Sequence, residues 1–135
     1  MKQQELSDKL KSCVEGQPYN GSLTQYAIHS IEQSRSNYPV SNLIAYCDGF
    51  GLNMIMTDKA TQDRFHPITV LDIHKVIGLL MQRYDVDSQL IYRKTAAHYS
   101  KPKEEATKKY NASLSIKTLL AVCDVLHCDL SFELK

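Results

Sequence analysis

The sequence predicts a mainly α fold made of two tandem, diverged copies of one helical unit, with a small two-stranded β element. Three observations predict it. The chain matches itself at an offset of 76 residues, each matched segment carries an apolar stripe of helical period, and each stripe is followed by a short alternating apolar run. Val40–Lys59 reads VSNLIAYCDGFGLNMIMTDK, and Ile116–Lys135 reads IKTLLAVCDVLHCDLSFELK. Leu43, Ala45, Cys47, Asp48 and Lys59 recur as Leu119, Ala121, Cys123, Asp124 and Lys135. Apolar positions 40, 43, 44, 47 and 50 coincide with 116, 119, 120, 123 and 126.

In chain order, the first expected helix spans 3–14, with Leu6, Leu10, Cys13 and Val14 on one face. The second spans 22–34, with Ser22 as its N-cap and Ile28 and Ile31 as its apolar back. The third is the matched helix 40–50, followed by a strand over Leu52–Thr57 in which Leu52, Met54 and Met56 share a face. Asp58–Pro67 is polar and ends in proline, so it reads as a connection. This divides the chain into a first unit at 1–59, a linker at 60–67 and a second unit at 68–135. A fourth helix over 70–84 places Val70, Ile73, Ile77, Leu80, Met81 and Tyr84 on one face and answers to the first helix at an offset of 67. The change of offset, from 67 to 76, lengthens the second copy by about nine residues near a basic stretch. A fifth helix over 88–99 is stopped by Ser100–Lys101–Pro102, and a sixth spans 116–127. Cys128–Leu134 is the second strand. The two strands are expected to pair as an antiparallel ribbon about an approximate twofold axis, because pairing removes one open edge from each. Leu43, Cys47 and Phe50 then meet Leu119, Cys123 and Leu126, and one chain forms a compact pseudo-dimer. The alternative is two beads on the linker, each pairing its strand with another molecule.

With 135 residues, 43% hydrophobic and 23% charged, the chain has the composition of a folded domain, or of two very small ones sharing a core. No run approaches the roughly 18–20 apolar residues of a membrane span, and the polar start MKQQELSDKL lacks the apolar run of a signal peptide. A cytoplasmic location is the expectation. Net charge is +1, unevenly spread: residues 1–66 carry six Lys/Arg against seven Asp/Glu, and 67–135 carry ten against eight. Arg93–Lys109 alone holds six cations against Glu104 and Glu105, and Tyr92, His98, Tyr99 and Tyr110 are interleaved with them. Such a stretch reads either as a solvated lysine-rich loop or as a phosphate-contacting patch.

Cys13, Cys47, Cys123 and Cys128 form no CxxC pair. Cys123, His127 and Cys128 suggest a metal cluster, but a tetrahedral site needs a fourth ligand, and neighbours on a helix point apart. Buried thiols are the expectation, with no metal and no cofactor. Five scattered histidines stand beside no nucleophile motif, and GxSxG, P-loop and HExxH patterns are missing, so no enzymatic activity is expected.

Leu23–Glu32, LTQYAIHSIE, followed by Gln33–Pro39 and the matched helix, resembles the lambda-repressor and Cro family of helix-turn-helix proteins. Thr24, Gln25, Ile28, Ile31 and Glu32 fit that family's recognition-helix pattern. Pro39, Leu43, Ala45, Phe50 and Gly51 fit the loop and amphipathic helix after it. In the second copy Ser88–Gln89–Leu90–Ile91–Tyr92–Arg93–Lys94 stands at the equivalent place, with Ser113–Leu114–Ser115 and Thr118–Leu119–Leu120 beyond. Two departures stand out. Gly16–Ser22 is too short for an ordinary separate second helix, and the second copy carries the long basic insertion.

The resemblance implies tandem helix-turn-helix units and double-stranded DNA as partner, with transcriptional regulation as the role. Thr24, Gln25, Tyr26 and His29 then form the base-reading front of one helix, where Gln25 suits a bidentate contact to adenine. Glu32 is expected to be structural, because a carboxylate repels phosphate. Ser88, Gln89, Arg93 and Lys94 are the counterparts in the second copy. Arg35, Ser36, Lys101, Lys103, Lys108 and Lys109 are expected backbone contacts that set register. The competing class is a protein-interaction module, such as an antitoxin, adaptor or inhibitor, that keeps the fold without binding DNA.

Overall fold

The computed structural model describes residues 1–34, 36–100 and 113–135. Among them are six helices: α1 (Gln3–Val14), α2 (Gln25–Gln33), α3 (Val40–Phe50), α4 (Val70–Arg83), α5 (Ser88–Thr95) and α6 (Ile116–Leu126). Three strands accompany them: β1 (Leu52–Asp58), β2 (Arg64–Phe65) and β3 (Cys128–Leu134). Local chemistry sets many of the ends. Thr69 and Asp72 form a reciprocal capping box at α4, and Ser115 caps α6 by accepting from the Thr118 N–H. α3 and α6 end alike, with Gly51 (φ 69°) and His127 (φ 52°) in the left-handed region, each N–H turned back to the two carbonyls at 47 and 48 or at 123 and 124.

The two copies meet across a seam that is reciprocal to the residue. β1 and β3 pair antiparallel from Leu52↔Leu134 to Asp58↔Cys128, centred on Ile55↔Ser131. Residues 55 and 131 are themselves equivalent at the offset of 76. So are Pro39 and Ser115, which form an isolated antiparallel bridge. The flanking hydrogen bonds obey the same rule. Val40 N–H donates to Leu114 C=O (2.7 Å) and Ile116 N–H to Tyr38 C=O (2.9 Å); Lys59 N–H donates to His127 C=O (3.1 Å) and Lys135 N–H to Gly51 C=O (2.8 Å). In each pair, adding 76 to one partner and subtracting it from the other converts one bond into the other. An approximate twofold axis therefore runs past Ile55–Ser131 and Pro39–Ser115.

One hydrophobic core spans both copies. Leu6, Leu10, Leu43, Cys47 and Met54 from the first belong to the same buried cluster as Ile73, Ile77, Leu119, Cys123, Leu126 and Leu130 from the second, with Phe50 half-buried against it. The first helix and the residues before it also reach across the seam: Lys9 Nζ donates to Leu130 C=O (3.0 Å), Cys13 Sγ to Phe132 C=O (3.5 Å), and the Met1 ammonium pairs with Asp124. The carbonyls at 130 and 132 lie on the β3 edge away from β1, so α1 covers that edge.

Three expectations need correction. The sheet has three strands in the order β2-β1-β3, not two, because Met56↔Phe65 and Thr57↔Arg64 add β2 from within the stretch read as a linker. Continuing this register sets Pro67 opposite Met54, and proline has no N–H to donate, so β2 stops. The second helix begins at Gln25, with Thr24 rather than Ser22 as its cap. The fifth ends at Thr95 rather than near 99: Ala96 turns left-handed (φ 61°), and Thr95 Oγ1 donates back to Ile91 C=O (2.7 Å).

The 58–67 connection is tied down by a polar cluster invisible in the sequence pattern. Asp58, wholly buried, accepts from Arg83 Nη1 (2.6 Å), Tyr84 Oη (2.6 Å) and Ala60 N–H (3.0 Å), while Arg83 also pairs with Asp63 (3.0 Å). Burial alone raises a carboxyl pKa. Here the hydrogen bonds from Tyr84, Arg83 and the Ala60 backbone outweigh it and hold Asp58 down at about 2.

Candidate nucleic-acid interface

α2 is held at both ends and along its back, which leaves one face in solvent. Ile28 and Ile31 are buried in the core. Glu32 accepts from Tyr46 Oη on α3 (2.7 Å), so its carboxylate is occupied structurally. At the C-terminal end, Ser7 Oγ donates to Ile31 C=O (2.8 Å), Ser34 Oγ to Gln3 C=O (3.1 Å) and Gln3 Nε2 to Ser36 C=O (2.7 Å). At the N-terminal end, a ten-residue connection without a helix leads from α1. Tyr19 anchors it. Its hydroxyl accepts from Leu23 N–H (3.0 Å), its ring packs on Phe50 (4.9 Å), and Asn20 N–H donates to Gly49 C=O (2.8 Å). The ring lies where a side chain on Gly49 or Gly21 would sit, so any side chain at either position must displace it.

The solvent face of α2 presents Gln25, Tyr26 and His29, and Tyr26 is 81% exposed. Thr24 is exposed too, but its Oγ1 accepts from Ala27 N–H (3.1 Å), which commits it to capping. Ser36 is exposed beyond the helix end.

α5 follows α4 after only four residues, 84–87, with Asp85 left-handed (φ 52°). Asp87 caps it by accepting from Leu90 N–H (2.8 Å), and Ile91 anchors its back in the core. The turn after it folds against α4 through Tyr99, whose buried hydroxyl meets His74 Nδ1 at 2.7 Å. Burial raises the Tyr99 pKa, so the phenol stays protonated. His98, just before it, stacks on Tyr92 with ring centroids 4.4 Å apart and planes 32° apart. Ser88, Gln89, Tyr92, Arg93 and His98 line a cleft of about 490 Å³ against Tyr99 and Ser100. Lys94 is exposed beside it.

The structure thus groups Gln25, Tyr26 and His29 on one helix face, and Ser88, Gln89 and Arg93 around one cleft. Arg35, Lys101, Lys103, Lys108 and Lys109 lie outside the described residues. Tyr92 and His98, read in the sequence as aromatics among the cations, meet at the cleft; their i, i+6 spacing becomes a contact only because α5 ends at Thr95. Cys47, Cys123 and Cys128 are buried and Cys13 is half-buried, all as free thiols. His127 is the exposed left-handed cap of α6. Among the described residues no three His, Cys, Asp or Glu side chains are grouped to hold a metal ion, and no helix is long and apolar enough to cross a membrane. Comparison of the chain with protein-family models, with curated proteins and with solved structures returns no match.

Proposed function

We propose that this chain is a DNA-binding transcriptional regulator that carries both halves of a twofold DNA-binding dimer in one polypeptide. The observation that carries the reading is the reciprocal β1–β3 seam, which relates two copies of one helical unit by an approximate twofold axis. Tandem units of the lambda-repressor type, diverged to different degrees, account for both the seam and the solvent-facing polar helices. Gln25 and His29 on one copy, and Gln89 and Arg93 on the other, offer side chains suited to base edges. Because they are unequal, the reading favours an asymmetric site over a true palindrome.

The test is binding to random duplex DNA across a salt series. Affinity is expected to fall steeply with salt, since each neutralised phosphate releases condensed counterion. Replacing Lys101, Lys103, Lys108 and Lys109 together with alanine lowers affinity for all sequences and reduces the log–log salt slope by up to about 3–4. Absence of binding at low salt sinks the reading. A protein-interaction module then takes its place, a role favoured by the near-neutral charge and by the Tyr26 ring presented at 81% exposure.

A further inference from the structure

We propose that the cleft beside α5 receives a single unpaired nucleobase, stacked on Tyr92, with its phosphate held by Arg93. The inference rests on the nucleic-acid reading above and narrows it. Tyr92 and His98 form a preassembled stack, yet Tyr92 remains 47% exposed, so an aromatic surface stands open at the cleft mouth. The cleft's size, about 490 Å³, falls within the roughly 300–1,000 Å³ of small-ligand sites.

Intact duplex DNA has little use for such a surface. Its base faces are covered by their neighbours, and only base edges and phosphates are offered to a protein. An aromatic platform binds a base whose face has been freed, in a single strand, a bulge or an opened pair. The surrounding groups complete a nucleotide site. Gln89 lies one turn before Arg93 on the same helix face, and its amide carries both a donor and an acceptor for a base edge. The Arg93 guanidinium suits a phosphate in bidentate fashion. Asp87 is engaged at the helix end, where its carboxylate accepts from Leu90 N–H.

The chain contains no tryptophan, so Tyr92→Trp installs a single fluorophore at the platform. The full chain carrying it is titrated at low salt with a short oligothymidylate, a perfect duplex and a duplex with a one-base bulge. Emission is expected to be quenched by the oligothymidylate and the bulged duplex and to change little with the perfect duplex. Without the fluorophore, Tyr92→Ala should weaken binding of the two unpaired probes by about 5- to 150-fold, the range for loss of one base–aromatic stack. His98→Ala, which removes only the ring packed on the platform, should weaken it less. Affinity for the perfect duplex should fall much less than affinity for the unpaired probes, and Tyr92→Phe should bind like the parent chain. Equal loss on all three probes, or duplex binding with unchanged emission on every probe, overturns the cleft proposal and leaves DNA binding standing. Failure of all three probes to bind the parent chain overturns both. Far-UV circular dichroism confirms that each variant is folded.

Discussion

At the scale of single residues, Gly49 and Asp58 show how partners distant in sequence decide what a residue is for. Gly49–Phe50–Gly51 reads locally as a helix end, and Gly51 is indeed the left-handed cap. Gly49 is glycine for another reason, since the Tyr19 ring occupies the space of its missing side chain. Alanine there gains up to about 1 kcal/mol of helix propensity but must displace a ring fixed by its hydroxyl and by Phe50. Gly49→Ala is therefore expected to destabilise by about 1–3 kcal/mol in urea unfolding. In a Tyr19→Ala background the same change should cost less, and strict additivity would rule out the clamp. Asp58 makes a pH prediction. Its folded pKa, about 2, lies below its ordinary value of 3.8, so its stabilisation is complete above about pH 4 and is lost as pH falls toward 2. Thermal midpoints of the parent chain should drop through that window more steeply than those of Asp58→Asn. Parallel curves for the two would show that the Arg83–Tyr84 cluster contributes nothing. Neither pairing was legible beforehand, because no local pattern links Tyr19 to Gly49 or Asp58 to Arg83.

At the scale of elements, local pattern and structure agree where an amphipathic stripe and a cap coincide. The bounds 3–14, 40–50 and 128–134 follow from apolar spacing alone, and α4 and α6 depart by one residue at their C-terminal ends. Disagreement falls where a distant partner decides. β2 is two residues long and exists through its pairing with β1, and α5 stops early because the chain turns to bring Tyr99 against His74. The candidate site was legible to the same extent: the exposed face of α2 follows from helical spacing, whereas the cleft of α5 depends on that turn. The strand register makes its own prediction. The bonds from Lys59 to His127 and from Lys135 to Gly51 fix the alternation of the ladder, so the amides of Asn53, Ile55, Thr57, Asp129, Ser131 and Glu133 point between β1 and β3. These six should be among the slowest to exchange with deuterium, whereas Leu52 and Met54 amides, on the other edge, should exchange sooner. The reverse order would contradict the register.

At the scale of the molecule, a core shared between copies makes the halves thermodynamically inseparable. Leu43 and Leu119 are equivalent and both wholly buried. Leu43→Ala and Leu119→Ala should each cost about 2–5 kcal/mol and lower one common unfolding transition, monitored by circular dichroism and by calorimetry. Two transitions, with only one displaced by each substitution, would mean that the halves fold independently. The covalent link between the two copies also changes how the protein answers to its own abundance. A twofold assembly of separate chains falls apart on dilution, and its working form then grows with the square of chain number. In the proposed two-half regulator the second half is always present at the first, so the working form would rise in simple proportion to the amount synthesised. A substitution in one half is no longer copied into the other, and each half is free to specialise alone.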